Sequence, residues 1–288
     1  MYTRNLLWLV SLVSAAPLYA ADVPANTPLA PQQVFRYNNH SDPGTLDPQK
    51  VEENTAAQIV LDLFEGLVWM DGEGQVQPAQ AERWEILDGG KRYIFHLRSG
   101  LQWSDGQPLT AEDFVLGWQR AVDPKTASPF AGYLAQAHIN NAAAIVAGKA
   151  DVTSLGVKAT DDRTLEVTLE QPVPWFTTML AWPTLFPVPH HVIAKHGDSW
   201  SKPENMVYNG AFVLDKWVVN ERLLHAKIQS TAMRNIQYCN RLSIWRWIIR
   251  SPAITAIARE RSISPGFRRS KFPPLKNHCL ASYELSRV

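Results

Sequence analysis

Apolar and polar positions alternate most regularly over residues 92–98, where Tyr93, Phe95 and Leu97 share one side of an extended chain and Arg92, His96 and Arg98 the other. Successive side chains of a strand point to opposite faces, so this pattern predicts a half-buried strand, with Ile94 the exception on its polar side. A second alternation sets Leu165, Val167 and Leu169 against Glu166, Thr168 and Glu170. It follows the turn Thr160-Asp161-Asp162-Arg163, which an extended segment over 155–159 precedes. Helical spacing governs other stretches. Ile59, Leu63 and Leu67, with Val60 and Phe64, recur a turn apart after Asn54 or Thr55, either of which can cap the helix start. Thr110-x-x-Asp113 has the form of a capping box, with Asp in place of the usual Glu. It opens a helix carrying Phe114, Val115, Trp118 and Val122, which Asp123-Pro124 ends. A further helix is expected over 131–146, stopping before Gly148, and a short one over 190–196. Gly72, Gly74 and Asp105-Gly106 mark turns, and Pro183, Pro187 and Pro189 stiffen a connector suited to a lobe boundary. Residues 209–214 and 217–219 read as the two arms of a hairpin.

The ends differ from this orderly body. Arg4, the apolar run over 6–13 and Leu18-Tyr19-Ala20 form a secretory leader over 1–20, too short to span a bilayer. The mature chain is therefore expected in the periplasm. After Arg222 there are 12 Lys/Arg against 2 Asp/Glu, whereas residues 1–222 hold 16 against 25, so a net charge of +1 conceals an acidic body and a basic tail. Amphipathic periodicity fades in the tail, and Trp245-Arg246-Trp247-Ile248-Ile249-Arg250 stands alone as an apolar-basic cluster. Residues 223–288 are expected to be disordered or an out-of-frame translation, because loss of patterning and of charge balance marks an unselected segment. The other reading of the tail is a basic arm for membrane or nucleic acid. Both cysteines, Cys239 and Cys279, lie in the tail, so no disulfide or thiolate metal site belongs to the body.

The order of motifs along the body resembles a known family. Ala81-Glu82-Arg83-Trp84, Trp103-Ser104-Asp105-Gly106-x-Pro108 and Thr110-Ala111-Glu112-Asp113-Phe114-x-x-x-Trp118 are flanked by Leu46-Asp47-Pro48, by Asp62-Leu63-Phe64-Glu65-Gly66-Leu67 and by Asp123-Pro124-Lys125-Thr126. Asn209-Gly210-Ala211 and 217–222 close the series. Each is weak alone; their order over 35–222 resembles the large solute-binding proteins, family 5, of ABC importers that take up oligopeptides and related solutes. The resemblance implies an α/β fold of the bilobal periplasmic-binding-protein type II kind, incomplete here. A mixed-sheet lobe one would comprise 21–64 and 190–222, and a small inserted α+β domain 65–189, with the opposite lobe missing. It implies a receptor rather than an enzyme, with no cofactor. It further implies a monomer that takes a small-molecule or peptide cargo, an oligopeptide or a bile-acid-like solute, and delivers it to an inner-membrane ABC permease without nucleic acid.

The same resemblance places Glu52 and Asn54 on the cleft edge of lobe one, and Phe130 and Trp182 at pocket-lining positions. Phe130 stands where peptide-binding members often carry Tyr and lacks the hydroxyl that could hydrogen-bond. Phe130 and Trp182 are equally well read as core aromatics, and Glu52 as a solvated loop carboxylate. His190, His191 and His196 invite a metal reading, but His191 and His196 are five apart and no carboxylate or thiolate completes the set, so no metal is expected. Neither a G-x-S-x-G elbow nor a Gly-rich phosphate loop is present, which leaves an exported hydrolase without a motif.

Overall fold

A computed structural model describes residues 34–227 and 241–245; the expected leader and most of the expected tail lie outside them. Among the described residues, two four-stranded sheets and six α-helices carry the architecture. Strands β1 (Val34–Asn38), β8 (Phe212–Val218), β9 (Arg222–Lys227) and β10 (Arg241–Trp245) form one sheet in the order β1-β10-β9-β8, parallel between β1 and β10 and antiparallel elsewhere. Helix α1 (Asn54–Leu63) packs on β8 and buries Ala56, Ala57, Ile59, Val60 and Leu63. A hairpin of β2 (Val68–Met70) and β3 (Val76–Pro78) leads to the second sheet, β4 (Ala81–Leu87), β5 (Arg92–Leu97), β6 (Val157–Asp161) and β7 (Thr164–Thr168), all antiparallel in the order β4-β5-β7-β6.

The alternation read from the sequence sets this second sheet. Tyr93, Phe95 and Leu97 are buried, and Tyr93 and Phe95 pair with Val167 and Leu165, also buried. Helix α2 (Ala111–Val122) lies across β6 and β7 and buries Phe114, Val115, Trp118, Ala121 and Val122. Burying a Phe or Val side chain fully contributes on the order of 1.5–3 kcal/mol. Its start is closed as the capping-box spacing predicts: the Thr110 backbone N–H donates to Asp113 Oδ2 at 2.9 Å. Beyond it come α3 (Ala131–Gln136), α4 (Ala142–Val146), α5 (Phe176–Met179) and α6 (His190–His196).

Four expectations need correction. The helix expected over 131–146 is two, because His138 (φ 51°) and Asn141 (φ 62°) take left-handed backbone that no helix interior admits. Helix α1 is capped by Glu53, one residue ahead of Asn54, without a side-chain cap bond; the Thr55 hydroxyl is instead bonded to Ser41 Oγ at 3.0 Å. Residues 212–218 are one strand rather than two arms. Its partner is β9, across a turn in which Asn220 (φ 63°) supplies the left-handed residue that Asn tolerates. Arg222 consequently opens a strand instead of ending the ordered chain, and β10 adds a second one inside the expected tail. Charge counting over the whole tail masked a short local alternation in which Leu223 and His225 are buried between the less buried Leu224 and Ala226.

Candidate functional site

Phe130 immediately precedes α3, and its backbone N–H is held by Ser128 Oγ at 3.2 Å. Trp182 closes the turn after α5: its N–H donates to the Met179 carbonyl at 3.2 Å, and Pro183 begins a 3-10 turn over Pro183–Leu185. The two rings meet edge to face, with centroids 5.8 Å apart and planes at 70°, both half-buried. That geometry aligns the positive edge of one ring with the negative face of the other. Both rings stay partly open to solvent.

Tyr133, one helical turn after Phe130, links the two segments that carry the pair. Its hydroxyl donates to the Met179 carbonyl at 3.2 Å, so α3 and the turn that carries Trp182 are tied together. Burial pushes the Tyr133 phenol above its ordinary pKa, so it stays a donor. Sequence reading missed this residue; the available signal was its three-residue spacing from Phe130, which puts both on one side of a turn.

Glu52 and Asn54 are exposed side chains at the start of α1. They are joined to the aromatic pair through the frame. The segment before them is stitched to the segment after Trp182: Gln49 Nε2 donates to the Phe186 carbonyl at 3.1 Å and to the Thr184 carbonyl at 3.4 Å. Arg120, from α2, braces the same segment by donating to Gln49 Oε1 at 2.6 Å and to both carboxylate oxygens of Asp47. Gly117 allows the close approach, since a Cβ there would lie 2.5 Å from the Phe186 carbonyl oxygen.

The histidines serve separate partners. His190 Nδ1 is 2.6 Å from Asp113 Oδ1, and His191 Nε2 is 2.8 Å from Asp105 Oδ2. Asp113, wholly buried, also receives the Trp103 indole N–H at 3.2 Å and the His190 backbone N–H at 3.2 Å. These bonds pin the start of α6 to the start of α2, a use of His and Asp that needs no ligand. Among the described residues, no group of three or more His, Cys, Asp or Glu is placed to hold a metal ion.

Comparison with known proteins agrees with this architecture. Residues 75–228 match the model of the bacterial extracellular solute-binding proteins, family 5 middle. The chain is 92% identical over 244 residues to the Probable deoxycholate-binding periplasmic protein YgiS of Escherichia coli, covering 83% of this chain and 46% of that protein. It is 50% identical over 216 residues to the periplasmic oligopeptide-binding protein OppA of Salmonella typhimurium, covering 75% of this chain and 40% of that one. Among solved structures, Haemophilus influenzae OppA in complex with RPPGFSPFR superposes with a TM-score of 0.75 at 38% identity, over 82% of this chain and 45% of that one. The unliganded open form of the murein tripeptide binding protein MppA gives the same score, identity and coverage. The chain thus spans less than half the length of these relatives, and over that span it has their mixed α/β fold.

Proposed function

Since the chain belongs to family 5 of the bacterial extracellular solute-binding proteins, we propose that it acts by capturing a solute outside the cytoplasm for an ABC importer, without chemical turnover. The observation that carries this reading is the edge-to-face pair of Phe130 and Trp182, half-open and braced by Tyr133, on a frame superposable on peptide-bound OppA. An aromatic surface suits a flat apolar body, and the cargo that fits it best is a bile-acid-like solute such as deoxycholate, the ligand named for the 92%-identical relative. An oligopeptide is the second reading, favoured by the 50%-identical OppA and by Glu52 and Asn54 as polar contacts at the rim. Periplasmic location, monomeric state and delivery to an inner-membrane permease belong to the same proposal. So does the division into a lobe formed by 21–64 with 190–222, here continued to Lys227, and an inserted domain over 65–189.

Calorimetric titration of the 288-residue chain with deoxycholate and with a panel of short peptides tests the reading. The expected result is a weak, saturable signal for one cargo class, because the chain presents under half of its relatives' length, with the cargo recovered unchanged. Heat indistinguishable from dilution for every cargo, or conversion of any of them, overturns it.

A further inference from the structure

A buried ionisable group that the cargo reading leaves unused sits where the chain leaves α1 and later returns to β8. Glu65 is 8% exposed. Its backbone N–H donates to Asn209 Oδ1 at 3.2 Å, and its carbonyl accepts from Asn209 Nδ2 at 2.8 Å. Its carboxyl Oε2 accepts from Gln80 Nε2 at 2.5 Å, and the same amide reaches the Asn209 carbonyl at 3.4 Å. Alongside, the Gly210 N–H donates to the Leu63 carbonyl at 2.9 Å, and a Cβ on Gly210 would lie 2.5 Å from the Leu63 carbonyl carbon. Three segments therefore meet at Glu65, with Asn209 holding its backbone and Gln80 its carboxyl: the end of α1, the link from β3 to β4, and the return into β8. They connect the sheet β1-β10-β9-β8 to the sheet β4-β5-β7-β6.

The charges around this carboxyl are few. Among the described residues Arg98, just after β5, is the cation that acts on it, and the Arg98 Nε is already committed to the Ala79 carbonyl at 2.6 Å. Gln80, Asn209 and residues 66–68 bring no charge. The Tyr208 phenol stays neutral because burial pushes it above its ordinary range. Asp62, on α1, lies 3.9 Å from His225. Burial outweighs the help from Gln80 and Arg98, so the Glu65 carboxyl is pushed up to about 8 and carries its proton at neutral pH.

We propose that Glu65, Gln80 and Asn209 form a proton-operated latch: while Glu65 is protonated the three segments are held together, and loss of that proton loosens the junction between the two sheets. Once ionised, the carboxylate needs more donors than one amide and a partly occupied guanidinium supply, and a buried anion so placed draws in water at the cost of the packing around it. The latch concerns the frame and operates whether or not cargo is present.

Carboxyl 13C NMR of the 288-residue chain, titrated from about pH 6 to 10, reads the proton directly, with the resonance assigned by its absence in Glu65→Gln. Hydrogen exchange of the Glu65 and Gly210 amides reads the junction. The expected result is a Glu65 midpoint near 8, accompanied by a further, roughly tenfold, loss of protection beyond the ordinary base-catalysed increase, and absent in Glu65→Gln. A midpoint below about 6, or the same pH dependence of exchange in wild type and Glu65→Gln, overturns the proposal. Should Glu65→Gln fail to fold, Gln80→Leu identifies the resonance as the carboxyl whose midpoint moves further upward once the donor is removed; no carboxyl midpoint moving upward counts against the latch.

Discussion

Arg120 grips Asp47 with both ends of its guanidinium, Nη1 lying 3.3 Å from Oδ1 and Nη2 2.8 Å from Oδ2, across 73 positions of sequence. The Trp200 indole N–H donates to the same carboxylate at 3.2 Å, and the guanidinium lies 5.5 Å from the Trp200 ring centroid. Through Gln49 this cluster reaches the Phe186 carbonyl, four residues beyond Trp182. A buried ion pair thus fixes the loop that leads to Glu52 against the segment that follows Trp182.

Arg120→Met is expected to cost about 3–5 kcal/mol, because it strands a carboxylate that is 3% exposed. Adding Asp47→Asn to that variant should restore part of the loss, since the stranded charge disappears. Urea denaturation with an unchanged slope measures both; additive losses in the double variant would contradict the pairing.

Trp182→Ala should weaken cargo binding by about 1–2 kcal/mol, roughly 5- to 30-fold, with a smaller effect on thermal stability than Arg120→Met. Phe130→Leu should weaken it less, because an apolar contact survives. Calorimetry on the two variants decides the matter: affinity unchanged in both would mean that the aromatic pair is core and nothing more.

Asp113→Ala removes the acceptor for the Trp103 indole and for the backbone N–H groups of Thr110 and His190. Orphaned buried donors cost about 1–3 kcal/mol each, so a loss near 3 kcal/mol is expected, and less for Asp113→Asn, which keeps one carbonyl oxygen. Thermal denaturation of the two variants tests the order.

Two buried groups give stability opposing dependences on pH. His225, wholly buried, is lowered by burial from 6.5 to about 4. Its neutral folded form stabilises above about 6.5, and that stability is lost as pH falls from 6.5 toward 4, while the unfolded chain takes up the proton. Glu65 behaves oppositely: its contribution is full below about 4.5 and is lost as pH rises toward 8. Each slope is at most about 1.4 kcal/mol per pH unit. These two groups therefore nearly cancel between 4.5 and 6.5 and leave a decline between 6.5 and 8. In His225→Phe the decline should begin near 4.5 instead. Denaturant midpoints across this range check it, and a wild-type profile rising from 6.5 to 8 would falsify the assignment.

Legibility in the sequence followed the range of the interaction. The burial of Tyr93, Phe95 and Leu97 and the closure of α2 by Asp113 depend on neighbours within a turn or a strand, and the residue pattern announces them. The break at His138 and Asn141 was hidden, because neither residue is Gly or Pro and the backbone there is set by packing onto β7, with the Asn140 N–H donating to the Thr168 carbonyl at 2.9 Å. The strand character after Arg222 was hidden by composition, since averaging charge over a long tail erased the short alternation around Leu223 and His225.

By itself the sequence determined the alternating strand, the capped helix and an order of motifs specific enough to imply a family, because these rest on periodicity and on residues close in the chain. Tertiary structure alone decided that Phe130 meets Trp182, that Arg120 closes on Asp47 and that Glu65 is shut in between Gln80 and Asn209. Those relationships join residues between 15 and 144 positions apart in their hydrogen-bonded cases, and the burial that gives them their strength exists only once the segments between them have packed.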